Sequence, residues 1–359
     1  MGRGRATCYS AGMLILHSEL RDPDGLAFSP DGLALLATGG NRVQVWPRWL
    51  DQPPRRAKTV QATLERFAFG PDAARVYLYV SGNSHTRVLN VRTGKENETA
   101  LPSGGPSWFH FTPEGGFFLV SHDRGKFTRY DIGPVSARAR KAWSSERRFP
   151  PPAADALIRS RNSTDTGPAT EGDPTALGSH YRFGAIGGAA GVFVALEYRY
   201  GGHEPLDGLT VRSASTGALL YHADVTDADG RMLLADAGLT LAVHPSGAYF
   251  AFPQKNRVRL WPLADGVKVH VPPELSAKCR AVAFHPSGAL LAAVGDGATV
   301  TLYDTATWQV ARTLAWEIGP LRAVCFSPDG TRAATVGAPA GTGRGKKPGG
   351  RIVVWDVDV

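Results

Sequence analysis

The sequence predicts an all-β fold: a seven-bladed β-propeller of four-stranded antiparallel blades, closed by pairing of the N-terminal strand with the last blade. Three observations carry this. A Pro-centred turn recurs six times behind an apolar triplet, at Pro30, Pro71, Pro113, Pro245, Pro286 and Pro328. The steps between these prolines are 41, 42, 132, 41 and 42 residues, and a period of about 40–45 residues marks one four-stranded blade. The chain stops on a third-strand sequence, Ile352-Val-Val-Trp, while an unassigned apolar run, Met13-Leu-Ile-Leu-His, precedes the first repeat.

Within a repeat the elements follow in fixed order. The apolar triplet (Leu26-Ala-Phe, Val282-Ala-Phe, Val324-Cys-Phe) is a first, inner strand. After the Pro turn comes a short apolar run, then a tight turn, then an alternating strand closed by an aromatic. In the first repeat these are Leu33-Ala-Leu-Leu-Ala-Thr, Gly39-Gly-Asn-Arg and Val43-Gln-Val-Trp. Near the end they are Leu290-Leu-Ala-Ala-Val, Gly295-Asp-Gly and Thr299-Val-Thr-Leu-Tyr-Asp. Period-two alternation bounded by Gly, Asn and Asp is the hairpin signal. A fourth strand follows the aromatic.

The 132-residue gap sets the blade number. Residues 132–179 hold few large apolar side chains and no alternating run, so they cannot bury a blade of their own. One degenerate blade fits further on, through Tyr181-Arg-Phe-Gly-Ala-Ile, Gly191-Val-Phe-Val-Ala-Leu-Glu-Tyr and Gly208-Leu-Thr-Val-Arg. The count is seven. Met13–His17 is then the outer strand of the last blade, which leaves no open seam.

Composition agrees with one repeat domain spanning 1–359. The 42 glycines and 26 prolines suit a chain that needs several tight turns per blade. Three cysteines are too few and too scattered for a disulfide framework. No run approaches the length of a membrane span, and Met13-Leu-Ile-Leu is too short for a signal sequence. The expectation is a cytoplasmic monomer with no membrane association. The net charge of +8 favours acidic partners mildly, without the density of a dedicated nucleic-acid binder.

The Ser-Pro-Asp-Gly turns and the strand endings Tyr130-Asp131, Tyr303-Asp304 and Trp355-Asp356 make the chain resemble the WD40 repeat family. In Trp46-Pro47 and Trp261-Pro262 the aromatic stands without the Asp, and the Gly-His pair that opens repeats in that family is missing. The resemblance implies a non-catalytic scaffold that binds a protein partner through its loop face and central funnel. The competing class is a propeller enzyme, lactonase-like or quinoprotein-like, with a central metal or cofactor; a weaker one is nucleic-acid association through basic loops.

Two segments fall outside the repeat. Residues 145–178 are rich in Pro, Ser, Thr, Asp and Gly and read as an inserted flexible loop. Residues 337–351 form a Gly/Lys/Arg-rich hairpin loop; it lacks the spacing of a phosphate-binding loop and opens no helix. No nucleophile elbow, His-Glu-x-x-His or metal-ligand spacing occurs, so no catalytic residue, metal ligand or cofactor is expected. His244 and His285 precede turn prolines and read as turn variants. Trp49, Trp108, Trp308 and Trp316 lie off the third-strand register and are candidate anchors for a partner, or core.

The turns between second and third strands all emerge on one face, and cations recur at them. The expected partner-binding residues are Arg42, Arg87, Arg124, Lys126, Lys255, Arg257, Lys346 and Lys347, forming a basic rim that attracts an acidic partner. The sixth blade breaks the pattern with Asp296.

Overall fold

A computed structural model describes residues 7–9, 13–20, 22–50, 58–59, 64–70, 72–80, 86–99, 108–112, 115–122, 126–132, 139–144, 178–187, 191–200, 206–213, 215–224, 240–263, 272–337 and 349–357. Two strands, β1 (Thr7–Tyr9) and β2 (Met13–His17), precede the first repeat. The described strands form seven antiparallel sheets. The first sheet is β3 (Gly25–Phe28), β4 (Leu35–Gly39), β5 (Arg42–Trp46) and β6 (Lys58–Thr59). The second is β7 (Leu64–Phe69), β8 (Arg75–Val80), β9 (Thr86–Asn90) and β10 (Glu96–Thr99); the third is β11 (Trp108–Thr112), β12 (Gly115–His122), β13 (Lys126–Ile132) and β14 (Ala139–Ser144).

The fourth sheet lies where the degenerate blade is expected: β15 (Gly178–Gly187), β16 (Val192–Tyr200), β17 (Leu206–Ser213) and β18 (Leu219–Asp224). The fifth has three described strands, β19 (Ala242–Val243), β20 (Tyr249–Gln254) and β21 (Arg257–Pro262). The sixth is β22 (Cys279–Phe284), β23 (Leu290–Gly295), β24 (Thr299–Asp304) and β25 (Val310–Ala315). The last comprises β26 (Leu321–Phe326), β27 (Arg332–Gly337) and β28 (Arg351–Asp356), followed across the sheet by β2 and β1.

The pairing of β2 with β28 runs from Met13 opposite Trp355 to His17 opposite Arg351. First strands neighbour one another in chain order, β3 beside β7, β7 beside β11, and so on to β22 beside β26, and β26 in turn lies beside β3. The insertion at 145–178 lies outside the described residues except for Gly178, which already belongs to β15. Gly337 and Arg351 pair across the hairpin of β27 and β28; residues 338–348 between them are outside the description.

A layer of apolar side chains joins neighbouring sheets from the fourth, through the seventh, round to the second. Leu14, Leu16, Leu26, Leu35, Trp46 and Ile352 join the last sheet to the first. Leu36, Val45, Val76 and Leu78 join the first to the second. Ala251, Val258, Leu291 and Tyr303 join the fifth to the sixth. Where a described sheet is covered on both faces its second strand is buried along most of its length, as in Leu290–Gly295, and reads in the sequence as an apolar run. The outer β25 is exposed along most of its length, as an outer edge must be. No helix among the described residues is long and apolar enough to cross a membrane.

The Pro turns come in two chemistries. In Ser29-Pro-Asp31 and Ser327-Pro-Asp329 the serine hydroxyl donates to the aspartate, and the serine oxygen accepts the backbone N–H of Ala34 and of Arg332. In His244-Pro-Ser246 and His285-Pro-Ser287 the histidine Nδ1 instead accepts the backbone N–H of the serine, at 3.1 Å in both. His244 and His285 therefore do more than fill a turn. Each points its Nε2 into the next sheet, a role that sequence spacing did not disclose.

Candidate interaction face

Antiparallel order places the turns between second and third strands, and the chain entering each first strand, at one end of every sheet. These are the residues that meet there. Gly295 ends β23 because the entering chain crosses directly over it: a Cβ at that position would stand 2.0 Å from the Lys278 carbonyl oxygen. The same crossing brings Asp296, in the turn, to its partners.

Two rim cations meet acids carried by the entering segments, and a third meets a backbone carbonyl there. Arg42 donates to the Glu19 carbonyl oxygen at 3.3 Å and its guanidinium stands 3.8 Å from the Glu19 carboxylate. Gln44, buried two residues further on, fixes that segment by accepting from the Ser18 hydroxyl and the Glu19 N–H. Arg257 pairs with Glu274. Hydrogen bonds from Asn256, then Arg257, hold the Glu274 carboxyl below its ordinary range. Arg351 reaches the Glu317 carbonyl oxygen at 3.5 Å. Each of these arginines is the first residue of a third strand. Exposed contacts of this kind are screened by solvent, so they set the charge of the face more than its stability.

Arg87 departs from the expectation. It is only 8% exposed, and its Nη1 donates to Glu96 at 2.8 Å on the neighbouring strand. It occupies the inward polar position held by Gln44 in β5 and Thr301 in β24, two residues inside the rim; a Lys or Arg near a strand end does not separate the two positions in sequence. Lys255 is exposed in its turn, with φ +52°. Lys126 opens β13. Arg124, Lys346 and Lys347 lie outside the described residues.

Asp296, the exception in the pattern, is held by two arginines. Arg280 Nε and Nη2 donate to its two carboxylate oxygens at 2.9 and 2.7 Å, a bidentate grip. Arg322, from the next sheet, approaches Oδ1 at 3.3 Å. The Arg280 hydrogen bonds, aided by the charges of Arg280, Arg322 and Lys278, hold the Asp296 carboxyl below the usual carboxylate value. Both arginines sit at bulges, in the register shifts between Cys279 and Ala281 and between Leu321 and Ala323. A bulge re-aims one side chain out of the strand's alternation, here toward the turn. Neither arginine was among the expected site residues. The signal available in the sequence was the Arg at the same step before both Phe-x-Pro turns.

The candidate anchor tryptophans are interior where described. Trp49 and Trp308 are buried, and Trp49 donates its indole N–H to the Gly32 carbonyl. Trp316 packs on Trp355. The side chain of Trp108 lies outside the description. Burial pushes the Cys279 thiol up to about 12, as it does Cys325, so neither is a ready nucleophile. Among the described residues no group of three or more His, Cys, Asp or Glu could hold a metal ion.

Small antiparallel sheets, six of them carrying a Pro turn and most of those turns 41 or 42 residues apart, define a β-sheet repeat protein. The WD domain, G-beta repeat, matches residues 268–304, the segment that contains Arg280, Asp296 and most of the sixth sheet. An uncharacterized WD repeat-containing protein of Synechocystis is 31% identical over 96 residues, which is 26% of this chain and 28% of that protein. Over these segments the chain is similar to WD40-repeat proteins. The matched segment spans little more than a quarter of that relative's length.

Proposed function

We propose that the seven sheets are the blades of one β-propeller closed by β2 on β28, and that the chain is a non-catalytic interaction platform. It binds a protein partner of acidic character through the face that carries the turns between second and third strands. The observation that carries this reading is the gathering at one end of adjacent sheets of Arg42, Lys255, Arg257, Arg280, Arg322 and Arg351, side chains held at the surface by the strands behind them. Loops on a rigid scaffold are where binding chemistry can vary without cost to the core. The WD40 repeat at 268–304 supports the protein-binding role.

The test is affinity capture from the native host, with quantitative comparison between the natural chain and a variant carrying Arg42→Glu, Lys255→Glu and Arg257→Glu. The expected result is loss of the captured protein with an unchanged melting temperature. Equal recovery by both chains would refute the use of this face.

A further inference from the structure

The charge of the face is not spread evenly. Arg42 and Arg257 each meet the carboxylate of an entering segment, Glu19 and Glu274, while Arg351 reaches the backbone carbonyl of Glu317. Between the sixth and seventh sheets the balance differs: Arg280 and Arg322 share one carboxylate, Asp296, while Lys278 stands exposed beside them. Arg322 gives Asp296 a single N–H at 3.3 Å, and the rest of its guanidinium has no partner among the described residues. Its side chain is 39% exposed, and that of Arg280 is 35% exposed.

We propose that the Arg280–Arg322 pair is the docking point for a carboxylate side chain of an acidic peptide segment, with Asp296 as an internal carboxylate that orients Arg280 and competes for Arg322. This rests on the platform reading above and names the part of the face that takes the acidic group. The site displays its own complementarity, because a carboxylate is already seated there in the planar, two-point geometry that a guanidinium offers to Asp or Glu. A second carboxylate has the open edge of Arg322 and the Lys278 ammonium to engage. Peptide is favoured over single-stranded nucleic acid because the exposed large apolar residues among those described are Leu33, Leu50, Leu220 and Val310, none an aromatic on which a base could stack. The bulges at both arginines hold the pair toward the turn whether or not a partner is present, so little ordering is needed on binding.

The experiment measures binding of a labelled hexaglutamate peptide by fluorescence anisotropy in low-salt buffer, with an oligothymidylate in a parallel series. Arg280→Gln and Arg322→Gln are each expected to weaken hexaglutamate binding by about fivefold or more, and Asp296→Asn to strengthen it by about threefold. The double variant Arg48→Gln/Lys141→Gln, which removes two exposed cations elsewhere, should bind as the natural chain does. The proposal is overturned by absence of binding to the natural chain, by an equal loss in the Arg48/Lys141 control, by no response to Arg322→Gln, by weaker binding of Asp296→Asn, or by tighter binding of the oligonucleotide. A chain that fails here yet loses its captured protein on reversal of Arg42, Lys255 and Arg257 would keep the platform and lose only this docking point.

Discussion

His285 Nε2 donates to the carbonyl oxygen of Gly330 at 2.9 Å, across the boundary between the sixth and seventh sheets. His244 makes the same link to Gly288 at 3.1 Å, between the fifth and sixth. In both, Nδ1 accepts from the following serine, so the geometry selects the neutral ring with the proton on Nε2. The receiving glycine has no room for a side chain: a Cβ on Gly330 would lie 2.4 Å from His285 Nε2. The turns of adjacent sheets are thus interlocked on the face opposite Asp296.

Removing the lock should be measurable in chemical denaturation. His285 is 6% exposed, and His285→Ala leaves the Gly330 carbonyl without its donor, at an expected cost of about 1–3 kcal/mol. Gly330→Ala should cost more than Gly94→Ala. Both glycines have positive φ, +76° and +69°, but a Cβ on Gly94 meets nothing within 4 Å. The left-handed conformation alone costs about 1–2 kcal/mol, and the excess at Gly330 reports the contact with His285. Equal losses at the two positions would show that the interlock contributes nothing.

Burial holds the His244 pKa below its ordinary 6.5, the hydrogen bond to Gly288 opposing it only in part. The folded chain therefore resists a proton that the unfolded chain accepts. Stability from this group is present above pH about 6.5 and falls as the pH drops from there to the lower folded value. His244→Gln keeps a donor near the Gly288 carbonyl but does not titrate. Urea midpoints at pH 7.5 and 5.5 should fall further for the natural chain than for His244→Gln; a parallel decline would remove His244 as the cause.

Arg87 and Arg42 look alike in the sequence and should behave differently. Arg87→Glu buries two carboxylates against each other beside Glu96, with an expected loss of about 3 kcal/mol or more. Arg42→Glu acts at a half-exposed pair and should change stability by less than about 1 kcal/mol. Thermal melts of the two variants decide this, and a similar shift in both would return Arg87 to the rim.

The strand order and the turns were legible because each follows from a local pattern: a Pro turn, an apolar run, an alternating strand ending in Trp or Tyr. Side-chain pairings across sheets were not. The His285 to Gly330 bond joins residues 45 apart in the chain, and the Arg322 to Asp296 contact joins residues 26 apart. No period within one repeat reports such contacts. Arg87 was misplaced for a related reason. Strand-end cations and inward polar residues lie two positions apart on the same face of the strand, and only the pairing with Glu96 reveals that Arg87 takes the inner position.

Hydrogen exchange across the last sheet tests the closed propeller most directly. If β2 completes that sheet, amides in 13–17, 332–337 and 351–356 exchange as one slow unit, because opening the seam requires parting the Leu14, Leu16 and Ile352 layer. Exchange of 13–17 within seconds while 332–337 stays protected would contradict it.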